Sequence, residues 1–107
     1  MFNTNSEREY GSIDGTYLKI YWVRCKSGAP IRFYFGSSSK VVMYSGSRYI
    51  LGKFPFDVPQ TGKMVVLSGS KDPVCGFLQV VNNTVYLTPY TTIEAGTGWI
   101  YADEVII

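Results

Sequence analysis

A chain of 107 residues and 12.0 kDa is the size of one domain with one core. Its ten Lys and Arg against eight Asp and Glu are scattered along the chain, which excludes an electrostatic footprint for nucleic acid, and no apolar run reaches the ~20 residues of a membrane-spanning helix. The sequence has no histidine, so Ser-His-Asp and Cys-His catalysis are excluded, and Cys25 and Cys75 cannot complete a four-ligand zinc site. No metal or cofactor is expected.

The opening "MFNTNSEREYGSIDG" has no apolar stretch of the signal-peptide kind, so export is not expected. Within residues 1–14 only Phe2 and Tyr10 offer an anchor, so this segment is expected to be a loosely held leader and 15–107 the folded domain. "GSIDG" lacks the strand and helix that frame a phosphate-binding loop and reads as a turn. Short β-branched and aromatic runs cut by Gly, Ser, Asn and Pro then predict strands at 16–24, 30–35, 41–44, 48–51, 63–67, 74–81, 84–88 and 99–107, the last with a possible break at Ala102-Asp103.

The first hairpin, 16–35, turns through "KSGAP", where Gly28 and Pro30 suit a loop. Tyr21, Trp22, Phe33 and Phe35 are assigned to its core side. "FGSSSKVVMYSGSRY" is read as loops around an inner strand. "LGKFPFDVPQTGK" cannot be a central strand with Pro55 and Pro59 in it, and is read as a crossing between sheets. Cys25 and Cys75, both in strand-like runs, are expected to be reduced core thiols. The whole predicts an all-β single domain, an antiparallel β-sandwich or jelly roll.

"FLQVVNNTVYLTP" carries the most specific expectation. A two-residue turn at Asn82-Asn83 pairs Val81 with Thr84, Val80 with Val85, Gln79 with Tyr86 and Leu78 with Leu87. One face is then Leu78, Val80, Val85 and Leu87. The other holds Phe77, Gln79, Val81, Thr84, Tyr86 and Thr88, too apolar for a solvent face and too polar for a second core. The "NNT" sequon within this tight turn is read as a chance match.

Of the eight carboxylates, Asp57 and Asp72 lie in loops, but nothing in their spacing requires the paired cleft of a glycosidase. A non-enzymatic protein is expected. Nine Tyr, six Phe and two Trp are the positive feature, because rings with polar tips suit subunit interfaces and sugar-stacking surfaces. The loop aromatics Tyr44, Tyr49, Tyr90 and Trp99 are candidates for either ligand contact or peripheral packing.

The run "LKIYWVRCKSGAPIRFYF", a serine-rich loop, "ILGKFPFDVP", "GFLQVVNNTVYLTP" and "GWIYADEVII", taken in that order over residues 16–107, resembles the C-terminal receptor-binding heads and tail-fibre tips of tailed bacteriophages. No shoulder, coiled coil or repetitive shaft precedes it, a departure from that pattern. The resemblance implies a β-sandwich head, a homotrimer, and attachment of a virion to a saccharide or protein of the bacterial surface. It also implies other tail proteins as partners and assembly in the host cytoplasm; the scattered charge and the lack of a long apolar run are the grounds for expecting no contact with nucleic acid and no insertion into membrane. On this reading Phe77, Val81 and Tyr86 form the subunit contact, unless the opening strands cover them within one chain. Trp99 and Tyr90 are the sugar platforms, Asp72 and Arg48 the hydroxyl or charge partners, and Tyr49 a secondary contact. The alternatives are a structural virion or baseplate protein that mediates assembly only, and a glycan-cleaving enzyme using Asp57 or Asp72.

Overall fold

The computed structural model describes residues 8–25, 31–35, 40–69, 72–96, 100–102 and 105–106. Nine strands are present among them: β1 (Arg8–Asp14), β2 (Lys19–Cys25), β3 (Ile31–Phe35), β4 (Tyr49–Lys53), β5 (Thr61–Gly69), β6 (Val74–Val81), β7 (Thr84–Pro89), β8 (Ile100–Ala102) and β9 (Val105–Ile106). They form two antiparallel sheets, β1-β2-β3-β9 and β4-β7-β6-β5-β8. No helix occurs among the described residues, and the all-β reading holds.

The sheets meet through one core. The four-stranded sheet contributes Ile20, Trp22, Phe33 and Phe35, and the five-stranded sheet contributes Leu51, Val65, Leu67, Leu78, Val80, Val85 and Leu87. Leu18, Met43, Phe54 and Ile93 close the core from the connections. Strand alternation explains the division, since a strand buried on one face must place every second side chain inward.

The hairpin has the expected register: Val81 opposite Thr84, Val80 opposite Val85, Gln79 opposite Tyr86 and Leu78 opposite Leu87. Asn82 (φ 50) and Asn83 (φ 67) both take left-handed backbone, which a tight two-residue hairpin turn requires and asparagine tolerates better than most residues. The inner four side chains are fully buried.

Several expectations are corrected. Residues 8–14 are no leader but strand β1, paired along its whole length with β2. Its inward positions are Glu9, Gly11 and Ile13. Ile13 packs on the core, Glu9 receives a two-nitrogen ion pair from Arg24 at 3.0 Å, and Gly11 leaves room for the Trp22 ring. Residues 1–7 lie outside the described residues.

Tyr21 faces outward, because Ile20 and Trp22 take the inward phase of β2. The 41–44 segment is not a strand but a single bridge, Met43 to Ile93. The proline-rich segment after β4 does not cross between sheets. It joins β4 to β5 of the same sheet, passing the β6–β7 turn, where Phe54 N–H donates to the Asn83 carbonyl and Val58 N–H donates to Asn83 Oδ1. With β4 lying beside β7, strands β4 to β7 make a Greek key. The expected break near Ala102-Asp103 is real: β8 pairs with β5 and β9 with β3, so the chain changes sheet there.

The two cysteines are free but not core residues. Cys25 is half-buried in one sheet and Cys75 is exposed on the other.

Candidate binding site

Antiparallel order fixes which loops share an end. At one end of the five-stranded sheet β4 begins, β7 finishes, β6 begins and β8 begins. The segments carrying Arg48, Asp72 and Tyr90 therefore gather there. Hydrogen bonds tie two of them directly: Ser45 Oγ donates to the Tyr90 carbonyl at 2.9 Å, Ser45 N–H to Thr92 Oγ1 at 3.2 Å, and Gly46 N–H to the Pro89 carbonyl at 2.8 Å. The reciprocal Met43 and Ile93 bonds, both 2.8 Å, continue this zipper. Tyr90 N–H donates to the Cys75 carbonyl at 2.9 Å, which holds Tyr90 beside the start of β6, three residues from Asp72.

Tyr90 is half exposed and Asp72 is exposed, so both meet solvent. Tyr44 belongs with them at 59% exposure, an aromatic of the same loop cluster that the sequence reading left out of the site. Tyr49 does not belong. Its ring packs on the core edge-to-face with Tyr17 at 4.9 Å, and its hydroxyl accepts from Tyr44 N–H at 2.6 Å, so it shapes the loop rather than facing a ligand. Trp99 lies outside the described residues.

Arg48 joins two expectations. Its guanidinium lies 4.0 Å from the Tyr86 ring centroid, on the outer face of the sheet, so the loop cluster runs directly into the proposed subunit contact. That face is built in rows by register: Ile50, Tyr86, Gln79 and Gly62 in one, Thr88, Phe77 and Met64 in the next, and Cys75 with Val66 beyond. Phe77 lies across Gly62, where a Cβ would come within 2.9 Å of its ring. Ile50 is 59% exposed, Met64 57% and Val66 45%. Along the outer face of β5, β6 and β7 no side chain is charged. The opening strands do not cover it, since β1 and β2 belong to the sheet on its other side.

Asp57 and Asp72 cannot act as a pair. Asp57 accepts from Asn83 Nδ2 at 3.1 Å, beyond the far end of β6, and Asp72 precedes its near end. The eight-residue strand between them spans about 26 Å, against the ~5 to 10 Å that flanks a glycosidic bond.

The outer face of the four-stranded sheet holds a second group of aromatics that the sequence reading did not bring together. Tyr10, Tyr21 and Tyr34 all point outward there, with Tyr21 and Tyr34 stacked at 5.4 Å and 25°. The signal was the alternation of "REYGSID", masked by its shortage of apolar residues.

No family model matches this chain, and neither the curated proteins nor the solved structures give a match.

Proposed function

We propose that this protein is a non-enzymatic attachment module, a homotrimeric head of the phage tail-tip kind that binds saccharide at a bacterial surface. The observation that supports it is the arrangement of the five-stranded sheet, whose outer face carries no charged side chain along β5, β6 and β7, is covered by no described strand, and ends in loops that carry Tyr44, Arg48, Asp72 and Tyr90. Such a face resembles the core of a subunit contact, which is depleted of charge and enriched in aromatic residues. Left open to water it is an aggregation liability. A three-fold axis running along the strands buries the three faces together and turns all three loop clusters the same way.

That geometry matters for weak ligands. Single sugar contacts are shallow, and three sites presented together gain avidity of ~10² to 10⁴. Tyr90 and Tyr44 supply apolar ring faces, and Arg48 and Asp72 supply donors and acceptors for hydroxyls. A protein that only glues virion parts together uses the same apolar face but has no need of the loop residues.

The test is retention of labelled protein by purified bacterial envelope polysaccharide. The proposal requires retention by polysaccharide from at least one susceptible host and loss of it in Tyr90→Ala and Asp72→Ala proteins that keep their mass. Retention unchanged in both variants refutes the loop site, and trimers that no susceptible cell binds favour the structural role.

A further inference from the structure

The two sheets are built to one plan. Each is a meander of three successive strands, β1-β2-β3 in one and β5-β6-β7 in the other, with a further strand beside the third. That strand comes from the other half of the chain: β9 pairs with β3, and β4 with β7. The registers correspond residue for residue. Ile13, Ile20 and Phe35 stand in line across the first sheet as Val65, Gly76 and Pro89 do across the second. Two residues along, Gly11, Trp22, Phe33 and Val105 correspond to Lys63, Leu78, Leu87 and Tyr49. The second half adds β8 on the outer edge of β5.

The connections carry the same signature. Met43 and Ile93 are both buried and exchange both backbone hydrogen bonds at 2.8 Å, the reciprocity that a two-fold axis requires of residues lying on it. Three residues after each, Gly46 (φ 83) and Gly96 (φ 68) take left-handed backbone, with open space where a Cβ would stand. The sequence hides the correspondence because the core asks only for apolar bulk, met by Trp22 in one half and Leu78 in the other. Outward positions have diverged further: Asp14 and Arg32 of the first sheet correspond to Val66 and Tyr86 of the second.

We infer that the chain is one four-strand unit used twice, 8–53 and 61–106, assembled as a strand-exchanged pair in which each unit completes the other's sheet. The partner that each unit is shaped for is a second copy of the same plan, supplied within one chain through the connection 54–60. The opposite join then has the same geometry. β4 ends and β5 begins three strand spacings apart, about 14 Å, and so do β9 and β1. Ten residues, 51–60, run between Ile50 and Thr61. Their counterparts are Ile106 and Glu9, and joining Ile107 to Met1 through one added glycine places Ile107, the glycine and residues 1–8 between them, again ten.

A circular permutant of the whole chain with that join, opened between Pro59 and Gln60, tests this. It should keep the parent's far-UV circular dichroism and melt within about 10 °C of it. Joining Ile107 directly to Arg8 leaves three Cα steps between Ile106 and Glu9, about 11 Å at most, too short for the span, so this second permutant should melt about 5 °C or more below the first. The parent cut between Pro59 and Gln60 at an inserted protease site should keep its spectrum and its native mass, since units shaped for each other need no covalent link. A first permutant that does not fold although the cut parent does, a cut parent that falls apart, or equal melting of the two permutants overturns the inference. None of these outcomes depends on whether copies of the chain assemble further.

Discussion

Substituting Gly11 by alanine tests whether β1 belongs to the sandwich. An alanine Cβ at that position would lie 2.4 Å from Trp22 Cζ2, 2.6 Å from Cε2 and 2.9 Å from Nε1, where carbon atoms prefer about 3.5 Å or more. The ring must retreat by about 1 Å, a displacement that forfeits a quarter to a half of the attraction along that contact. It has little room, because its other side meets Phe56 edge-on at 4.7 Å and it is only 9% exposed. Overpacking of this kind costs about 1 to 3 kcal/mol. The lower entropy of an unfolded alanine returns roughly 0.5 to 1 kcal/mol, leaving a net loss of up to about 2.5 kcal/mol. At about 4 °C per kcal/mol for a domain of this size, the midpoint of a far-UV circular dichroism melt should fall by up to about 10 °C. Ser12→Ala, one residue along and facing outward, should stay within about 0.5 kcal/mol of the parent. A Gly11→Ala protein that melts at or above the parent would refute the reasoning, since that is how a glycine in a loose leader behaves.

Three further predictions concern the hairpin, its outer face and the two cysteines. Asn83→Ala loses the bonds to Val58 N–H and Asp57 and puts alanine at φ 67, so it should cost about 2 to 3 kcal/mol in denaturant titration. Asn83→Gly, free of the backbone penalty, should lose visibly less, and equal losses would contradict the turn's role. Tyr86→Lys should weaken assembly by about 2 kcal/mol, on the order of 30-fold, and Thr84→Lys beside the turn should weaken it less, as read by sedimentation; equal effects would argue against this face as the contact. Cys25 and Cys75 should both be thiols by intact mass, and replacing both by Ser should cost less than about 1 kcal/mol, because neither is buried; Cys75 should react with a bulky maleimide more slowly as protein concentration, and with it assembly, rises.

The β6–β7 hairpin was fully legible because Asn82-Asn83 dictates the turn, and the turn dictates every pair after it. β1 was not, since two of its three inward positions are Glu9 and Gly11: one is held by an ion pair with Arg24 and the other matters for the side chain it lacks. Tyr21 was misplaced because "KIYWVRC" has large apolar residues in both phases, so alternation alone cannot say which phase faces inward. The candidate site needed strand order. Arg48, Asp72 and Tyr90 are far apart in the chain and come to one end of the sheet only because β4, β6 and β7 present that end, while Tyr49, the first residue of β4, turns inward to Tyr17 in the β1–β2 connection, a long-range contact that local pattern does not encode.

The proposed joining of three copies into one head through the outer face of the five-stranded sheet is open to light scattering of the purified protein across a hundredfold range of concentration. A mass of about 36 kDa, three times the 12.0 kDa chain, is expected at every concentration above dissociation. A constant mass near 12.0 kDa would contradict it.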